Sequence, residues 1–400
     1  MDVNKRSPKA LKVAKVNNYL EKENEIIQNI KYLILFEMLL GVNRLYLLGY
    51  QKIVMYFSYF YNLVLLLFTV TFLYLSDLNA NAQIFYKNIV GVEYLLLILS
   101  ALLTQKKQLN KLFLKLQLFD ENLNISDEIS ETTPRHWWIY GIGIILLHFM
   151  LEVLFAQIFI FNGNGMKRSY SMYATRLPGT VHDIEIIFFC FMIGIILKRL
   201  TLLKAHVSKE LCVDEEREVV KNCEKIEELS KKVDLDISSL LKNYDLLHKC
   251  AEHLNAVISF PVIVMIVTSA LSTIMLLKNT IRTIEINSSI STVVLKSTVV
   301  LVFGRCLKYI LLLTFLCHLS NKSHAQVAKI RTIIHDTLTS NQLNKIERRK
   351  LKAFFQLCHE NEFAYALWGI VRLDMALPLS YLNLCTTYFI IVVQFSRFID

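Results

Sequence analysis

Seven long apolar stretches constrain this 400-residue chain more than any other feature. A helix needs about 17–25 mostly apolar residues to cross the hydrocarbon core of a membrane. Stretches of that length lie at 53–75, 84–104, 137–161, 178–197, 257–277, 292–317 and 376–395. The segments between them are largely charged or polar, although 54% of all residues are hydrophobic. The sequence therefore predicts an all-α polytopic membrane protein with seven transmembrane helices.

An eighth apolar segment, 32–50, is interrupted by Glu37, Asn43 and Arg44. On insertion scales, a charged residue at the centre of a membrane helix costs about 2.5–3.5 kcal/mol. We therefore interpret residues 1–52 as a cytoplasmic N-terminus that leads into a re-entrant or interfacial helix.

The distribution of Lys and Arg predicts the orientation. The N-terminal region and every second loop after it carry several times as many basic residues as the opposite side. Basic residues concentrate on the cytoplasmic side of a membrane, so the N-terminus is expected inside and the C-terminus outside. The basic residues on the predicted cytoplasmic side account for the net charge of +10. Because anionic lipids of the cytoplasmic leaflet attract basic segments, membrane lipid is expected as a partner. The basic runs lack interleaved aromatic residues, so no nucleic-acid partner is expected.

Apolar residues keep helical spacing in two long segments outside the predicted spans, 198–256 and 318–375, which we call the anchor segments. This spacing predicts helices, including one through 350–369, that pack together below the membrane. The chain then divides into an N-terminal region, helices 1–4, the first anchor segment, helices 5–6, the second anchor segment, and helix 7 with a short tail. The boundaries are 1–52, 53–197, 198–256, 257–317, 318–375 and 376–400.

Motifs typical of enzymes and cofactor-binding proteins are missing from the sequence. It contains no Gly-rich phosphate loop, no HExxH and no GxSxG. The nearest metal-like cluster, HKCAEH, pairs only Cys250 with His253 at helical spacing, and zinc needs three or four converging ligands. We expect neither enzymatic activity nor a metal or cofactor.

Polar and aromatic residues recur in the predicted outer halves of spans two, three, four and six. They are Tyr86, Glu93, Tyr94, His148, Glu152, Gln157, His182, Asp183, Glu185 and Lys296. Ionisable side chains inside a membrane are costly, and they usually pair or line an aqueous cavity. Two interpretations remain open here: salt bridges between helices, or an outward-opening pocket for a small molecule.

The last apolar stretch carries a polar stripe, which consists of Ser380, Asn383, Thr387 and Gln394. At about 100° per residue, these side chains fall within about 60° of one another, and Ile390 lies on the same face. Such a stripe either packs against another helix or faces water. The stripe by itself fits both arrangements.

The ending TTYFIIVVQF, residues 386–395, resembles the TYhhhhhQF signature of insect gustatory receptors, in which h is an apolar residue. The stretch GIVRLD, residues 369–374, is similar to the G-h-h-x-L-D pattern that precedes the last span in that family. The length, the seven spans and the two long anchor segments also agree with the family.

The resemblance implies a ligand-gated, non-selective cation channel. It implies a homo- or hetero-tetramer whose seventh helices line one central pore, held together by the anchor segments, in the plasma membrane of chemosensory neurons. Gln394 and Phe395 would form the constriction, with Ile390, Ile391 and Thr387 along the pore. The ligand would be a small-molecule tastant bound among the outer halves of the helices. Phe389 stands where sugar receptors of the family usually have Glu, which favours a bitter compound or a fructose-type ligand over sucrose or glucose.

Two alternatives remain. A seven-helix G-protein-coupled receptor requires an extracellular N-terminus, which the charge distribution opposes, and the sequence lacks DRY after span three and NPxxY in span seven. A channel of the odorant-receptor type has the same architecture but lacks the TYhhhhhQF ending.

Overall fold

The described part of the chain is almost entirely helical. The computed structural model describes residues 25–50, 52–75, 81–123, 176–211, 236–286, 292–340 and 343–399, together with residues 143, 146 and 150. The helices are α1 (Glu25–Leu39), α2 (Lys52–Leu75), α3 (Asn81–Ser100), α4 (Lys106–Asn122), α5 (Arg176–Glu210), α6 (Ile237–Ile286), α7 (Thr292–Thr339), α8 (Lys345–Glu360) and α9 (Ala376–Ile399). The remaining elements are a 3-10 turn (Leu45–Leu48), a π-helical segment (Ala101–Gln105) and the antiparallel strands β1 (Ala366–Leu367) and β2 (Val371–Arg372).

Five helical segments among the described residues are long and apolar enough to cross a membrane. They are Lys52–Thr71, Asn88–Asn122, Pro178–Glu210, Ile237–Lys278 and Val302–Thr339. These segments overlap the predicted spans one, two, four, five and six, and α9 contributes a shorter apolar stretch, Ala376–Ile391. Apart from three positions, the predicted span 137–161 lies outside the described residues. The all-α membrane fold is confirmed, whereas the count of seven spans and the orientation stay predictions.

Helices α6 and α7 are much longer than a membrane is thick. They contain 50 and 48 residues. At about 1.5 Å per residue, each extends for roughly 70–75 Å, against about 30 Å of hydrocarbon. Each helix therefore continues without a break from a predicted span into an anchor segment.

Parts of the two anchor segments pack on each other through aromatic side chains. The Tyr244 ring on α6 meets Phe354 of α8 and Phe363 edge to face, with centroids 5.8 and 5.5 Å apart. The Tyr244 hydroxyl donates a hydrogen bond to the Asn361 carbonyl at 2.8 Å. Residues 212–235 of the first segment lie outside the described residues.

The predicted helix through 350–369 is wrong over residues 361–369. Helix α8 ends at Glu360, and the chain then forms the β1–β2 hairpin. Trp368 and Gly369 at the hairpin turn have φ angles of +50° and +71°, which a right-handed helix excludes.

The structure divides the segment 32–50 into two elements, and its assignment as a re-entrant or interfacial helix stays a prediction. Helix α1 ends at Leu39, and a turn at Gly41 (φ +99°) leads to the 3-10 turn. A Cβ atom at Gly41 would lie 2.6 Å from the Tyr94 hydroxyl, so the close approach requires glycine. The turn carries Asn43 and Arg44 into the interior of the bundle, where both are buried.

Candidate functional site

One turn of α5 joins three other elements through charged side chains. His182 pairs with Glu93 of α3. Asp183 accepts a hydrogen bond at 2.9 Å from the Lys308 ammonium on α7. Glu185 accepts one at 2.8 Å from Arg44, which precedes the 3-10 turn. Residues at i, i+1 and i+3 of a helix point in different directions, so each side chain reaches a different neighbour.

Arg44 is the centre of a fully buried polar cluster. Its Nη2 atom donates to Gln105 Oε1 at 2.6 Å as well as to Glu185, and its Nη1 atom lies 2.7 Å from Glu37 Oε2. The guanidinium carbon also lies 4.0 Å from the centre of the Phe188 ring. One guanidinium thus serves two carboxylates, one amide and one aromatic face. A planar, multivalent donor is well suited to such a shared position.

Five of the predicted pocket residues have partners within the chain. Glu93, His182, Asp183 and Glu185 form the ion pairs described above, and the Tyr94 hydroxyl donates to the Leu40 carbonyl at 3.0 Å. All five are buried. The side chains of the other five lie outside the described part of the structure. They are Tyr86 on α3, Lys296 on α7, His148, Glu152 and Gln157. A role of these ten residues in ligand binding stays a prediction.

The partners of these residues were not predicted. Glu37, Arg44 and Lys308 stand out in the sequence as charges in apolar segments, but Arg44 lies 61 residues from Gln105 and 141 from Glu185. A single sequence contains no signal for pairs so far apart. The π-helical segment that ends at Gln105 was not predicted either.

Helix α9 buries one face only. Tyr381 and Cys385 are 5% and 6% exposed, and the Tyr381 hydroxyl lies 3.4 Å from Thr273 Oγ1 on α6. These two residues lie on the side of α9 roughly opposite Gln394, at about 100° per residue. All four residues of the polar stripe are exposed. Within one chain, the stripe therefore points away from the helix bundle.

The predicted pore residues follow the same pattern where their side chains are described. Thr387 and Gln394 are exposed, and Ile390 and Ile391 are 49% and 40% exposed. Phe395 belongs to the last turns of α9, and its side chain lies outside the described part.

The GIVRLD stretch forms the junction between the hairpin and α9. Gly369 occupies the hairpin turn, and Leu373 is buried. Asp374 Oδ1 accepts hydrogen bonds from the backbone N–H groups of Ala376 and Leu377 at 3.0 and 3.2 Å. A carboxylate in this position satisfies N–H groups that the first turn of a helix leaves unpaired. The motif thus determines where α9 begins.

Comparison with known proteins finds one matching family profile and a similar fold. The profile of a family described as 7tm Chemosensory receptor matches residues 30–397. The fold is similar to that of the insect olfactory receptor OR5 from Machilis hrabei in complex with eugenol, with a TM-score of 0.58 and 14% identity over 92% of this chain and 99% of that one. A further structure of OR5 has a TM-score of 0.49 and 14% identity, over 84% and 89% of the two chains. No curated protein matches the sequence significantly.

Proposed function

This chain belongs to the 7tm chemosensory receptor family, and on that premise we propose that it is an insect taste receptor. It acts as a ligand-gated, non-selective cation channel in the plasma membrane of chemosensory neurons. Four subunits, identical or mixed with other gustatory receptors, surround one pore, and α9 of each subunit lines it. The N-termini lie in the cytoplasm and the C-termini outside.

The outward direction of the polar stripe carries this proposal. The buried face of α9 packs against its own subunit. The stripe lies on the opposite side of the helix and is exposed; it consists of Ser380, Asn383, Thr387 and Gln394. Exposure of such a stripe to hydrocarbon is unfavourable, so it requires water or polar partners. A ring of four α9 helices provides water on this face while Tyr381 and Cys385 keep their contacts inside each subunit.

The gate lies near the end of α9. Gln394 presents a ring of uncharged amides, with Phe395 about 100° further round and Ile390 and Ile391 one turn before. A narrow ring of neutral polar and bulky apolar groups closes by dewetting and opens when the helices move slightly apart. It has no fixed charge, which accounts for weak discrimination among cations.

The ligand is a small-molecule tastant. Its pocket lies among the predicted outer halves of spans two, three, four and six, near the paired side chains of His182 and Asp183. The olfactory receptor OR5, which shares the fold, is in complex with the small molecule eugenol. Phe389 in place of Glu favours a bitter compound or a fructose-type ligand.

A channel of the odorant-receptor type is the second candidate, and the fold similarity to OR5 favours it. The two candidates differ in the ligand and agree on the channel. The TYhhhhhQF ending favours the taste receptor. Responses to soluble sugars and alkaloids, as opposed to volatile compounds, distinguish them.

Patch-clamp recording tests the proposal. We expect cells that express this chain, alone or with other gustatory receptor subunits, to show tastant-evoked cation currents that persist in excised patches without nucleotides. Currents that disappear on excision, or that need a G protein, would support the G-protein-coupled alternative. Surface-expressed protein without current in every subunit combination would contradict the channel.

A further inference from the structure

The tip of the β1–β2 hairpin displays two large apolar side chains. Trp368 and Ile370 flank Gly369 and are 59% and 80% exposed. Trp368 has a φ angle of +50°, which side chains larger than glycine rarely adopt. Backbone conformations of this kind persist where the surrounding structure imposes them, often at functional positions. The combination of unfavourable backbone and exposed indole requires an explanation.

Helix α6 locates the hairpin at the boundary of the membrane. The Trp368 ring lies 6.2 Å from the ring of Phe260, near the start of the predicted fifth span at 257–277. Five residues earlier on α6, Asn255 donates a hydrogen bond from its side chain to the Ala366 carbonyl at 3.0 Å. The hairpin is thus attached to α6 where this helix changes from the anchor segment to the apolar span.

Helix α9 gives the same location independently. Asp374, two residues after β2, caps the first turn of α9 through the Ala376 N–H. The apolar stretch of α9, Ala376–Ile391, begins at that point. Tyr244 of α6, before the predicted span, contacts Phe354 of α8, whereas Thr273 within the span lies beside Tyr381 of α9. Two apolar helical stretches therefore begin beside the hairpin, and both lead away from the side on which α8 lies.

We propose that the hairpin tip, Trp368 to Ile370, inserts into the headgroup region of the membrane leaflet on the α8 side. Tryptophan favours this region because its ring is apolar and its N–H group can still reach water or headgroups. Ile370 extends into the start of the acyl chains. Arg372 on β2 is exposed and adds a positive charge next to the tip, which anionic phospholipids attract. Insertion removes both apolar side chains from water without altering the contacts of the hairpin with α6.

This contact attaches the junction before α9 to the membrane surface. Gly369 and Asp374 belong to the same short segment, so a lipid-bound tip holds the capped end of α9 at a constant depth. The inference goes beyond the proposed function and does not depend on whether α9 lines a pore.

Depth-dependent fluorescence quenching tests the proposal. The chain contains three tryptophans, so Trp137→Phe combined with Trp138→Phe leaves Trp368 as the single emitter. The full-length protein is reconstituted in lipid nanodiscs with bromine attached either near the headgroup or near the end of the acyl chain. We expect strong quenching by the shallow bromine, weaker quenching by the deep bromine, and protection from aqueous iodide.

Two reference variants calibrate the signal in a background without the native tryptophans. Ile346→Trp places an indole on the exposed surface of α8, where only iodide should quench it. Phe60→Trp places one on the exposed apolar face of α2, where the bromolipids should quench it. Quenching of Trp368 by iodide alone would overturn the proposal, because the tip would then lie in water. Protection from both quenchers would also overturn it and would indicate coverage by a second copy of the chain.

A second measurement avoids the tryptophan substitutions. A nitroxide label on Ile370→Cys reports accessibility to oxygen, which concentrates in lipid, and to a water-soluble nickel complex. We expect oxygen to relax the label more effectively than nickel. The reverse order would overturn the proposal even if the single-tryptophan protein failed to fold.

Discussion

Arg44 and Glu185 form a buried hydrogen-bonded ion pair at 2.8 Å, with side chains 0% and 1% exposed. They are 141 positions apart in the sequence, on the turn after α1 and on α5. The pair connects the N-terminal region to the membrane helix that also carries His182 and Asp183. The part of the N-terminal region around Arg44 is therefore buried inside the helix bundle.

The Arg44 pair gives the first prediction. Arg44→Ala leaves two buried carboxylates without their cation, which we expect to cost about 3–5 kcal/mol of stability. The melting temperature in detergent, followed by fluorescence size-exclusion chromatography, should fall clearly, and surface expression should decrease. Lys350→Ala removes a partly exposed ion pair with Asp236 and should cost no more than about 1 kcal/mol. Equal effects of the two substitutions would contradict a structural role of the buried cluster.

The second prediction concerns the ligand pocket. Alanine at His148, Glu152, His182 or Asp183 should shift the agonist dose-response curve while the maximal current stays largely intact. The reason is that these side chains lie in the predicted outer halves of the spans, where a small molecule enters from outside. Whole-cell currents and surface biotinylation measure the two quantities separately. Loss of surface expression in all four variants would show that these side chains stabilise the fold and would contradict a role in ligand binding.

The third prediction concerns orientation. The chain contains N-glycosylation sequons at Asn124, Asn287 and Asn321. Only Asn287 lies on the predicted outer side, whereas Asn321 lies within the long helix α7, beyond the end of the predicted sixth span. We expect an N-terminal epitope to be detected only in permeabilised cells and glycosidase to remove no glycan from Asn124 or Asn321. A glycan at either site would contradict the orientation and the channel built on it.

The fourth prediction concerns closure of the pore. Phe395→Ala should raise the current without ligand several-fold, because a smaller side chain leaves the constriction wide enough to stay wet. Gln394→Ala should change gating or relative permeability to cations. Without a role in the pore, Gln394 would only hydrogen-bond a neighbouring helix, worth about 0.6 kcal/mol on average. Normal basal and evoked currents in both variants would contradict the gate.

The features that could be predicted from sequence depend on local patterns. Spans such as 178–197 and 257–277 were found because hydrocarbon demands an uninterrupted apolar length. The polar stripe of α9 was found because helical periodicity places Asn383, Thr387 and Gln394 on one face.

Features that depend on distant contacts or on backbone geometry could not be predicted. The partners of Arg44 and Asp183 come from other helices, and spacing along the chain contains no information about them. Periodicity also did not separate the hairpin from a continuation of α8, because Trp368 adopts a positive φ angle that its residue type disfavours. Likewise, no pattern indicated that Gly41 turns the chain so that Arg44 points inwards.

Thiol accessibility at position 394 tests the central claim, that the polar stripe of α9 lines a water-filled pore that opens with ligand. The protein used for labelling has serine in place of Cys212, Cys223 and Cys306. The other native cysteines are buried and are kept. Of these buried cysteines, Cys358 should not react, because burial raises the pKa of its thiol to about 12.

The measurement compares Gln394→Cys with Leu382→Cys, which is 38% exposed and lies about 120° round the helix from position 394. We expect a charged thiol reagent to modify position 394 much faster with agonist than without it, and to alter the current. Position 382 should react at a rate that does not depend on agonist. A cysteine at position 394 that stays unreactive in both states, or reacts equally fast in both, would contradict a pore that is lined by the polar stripe and opens with ligand.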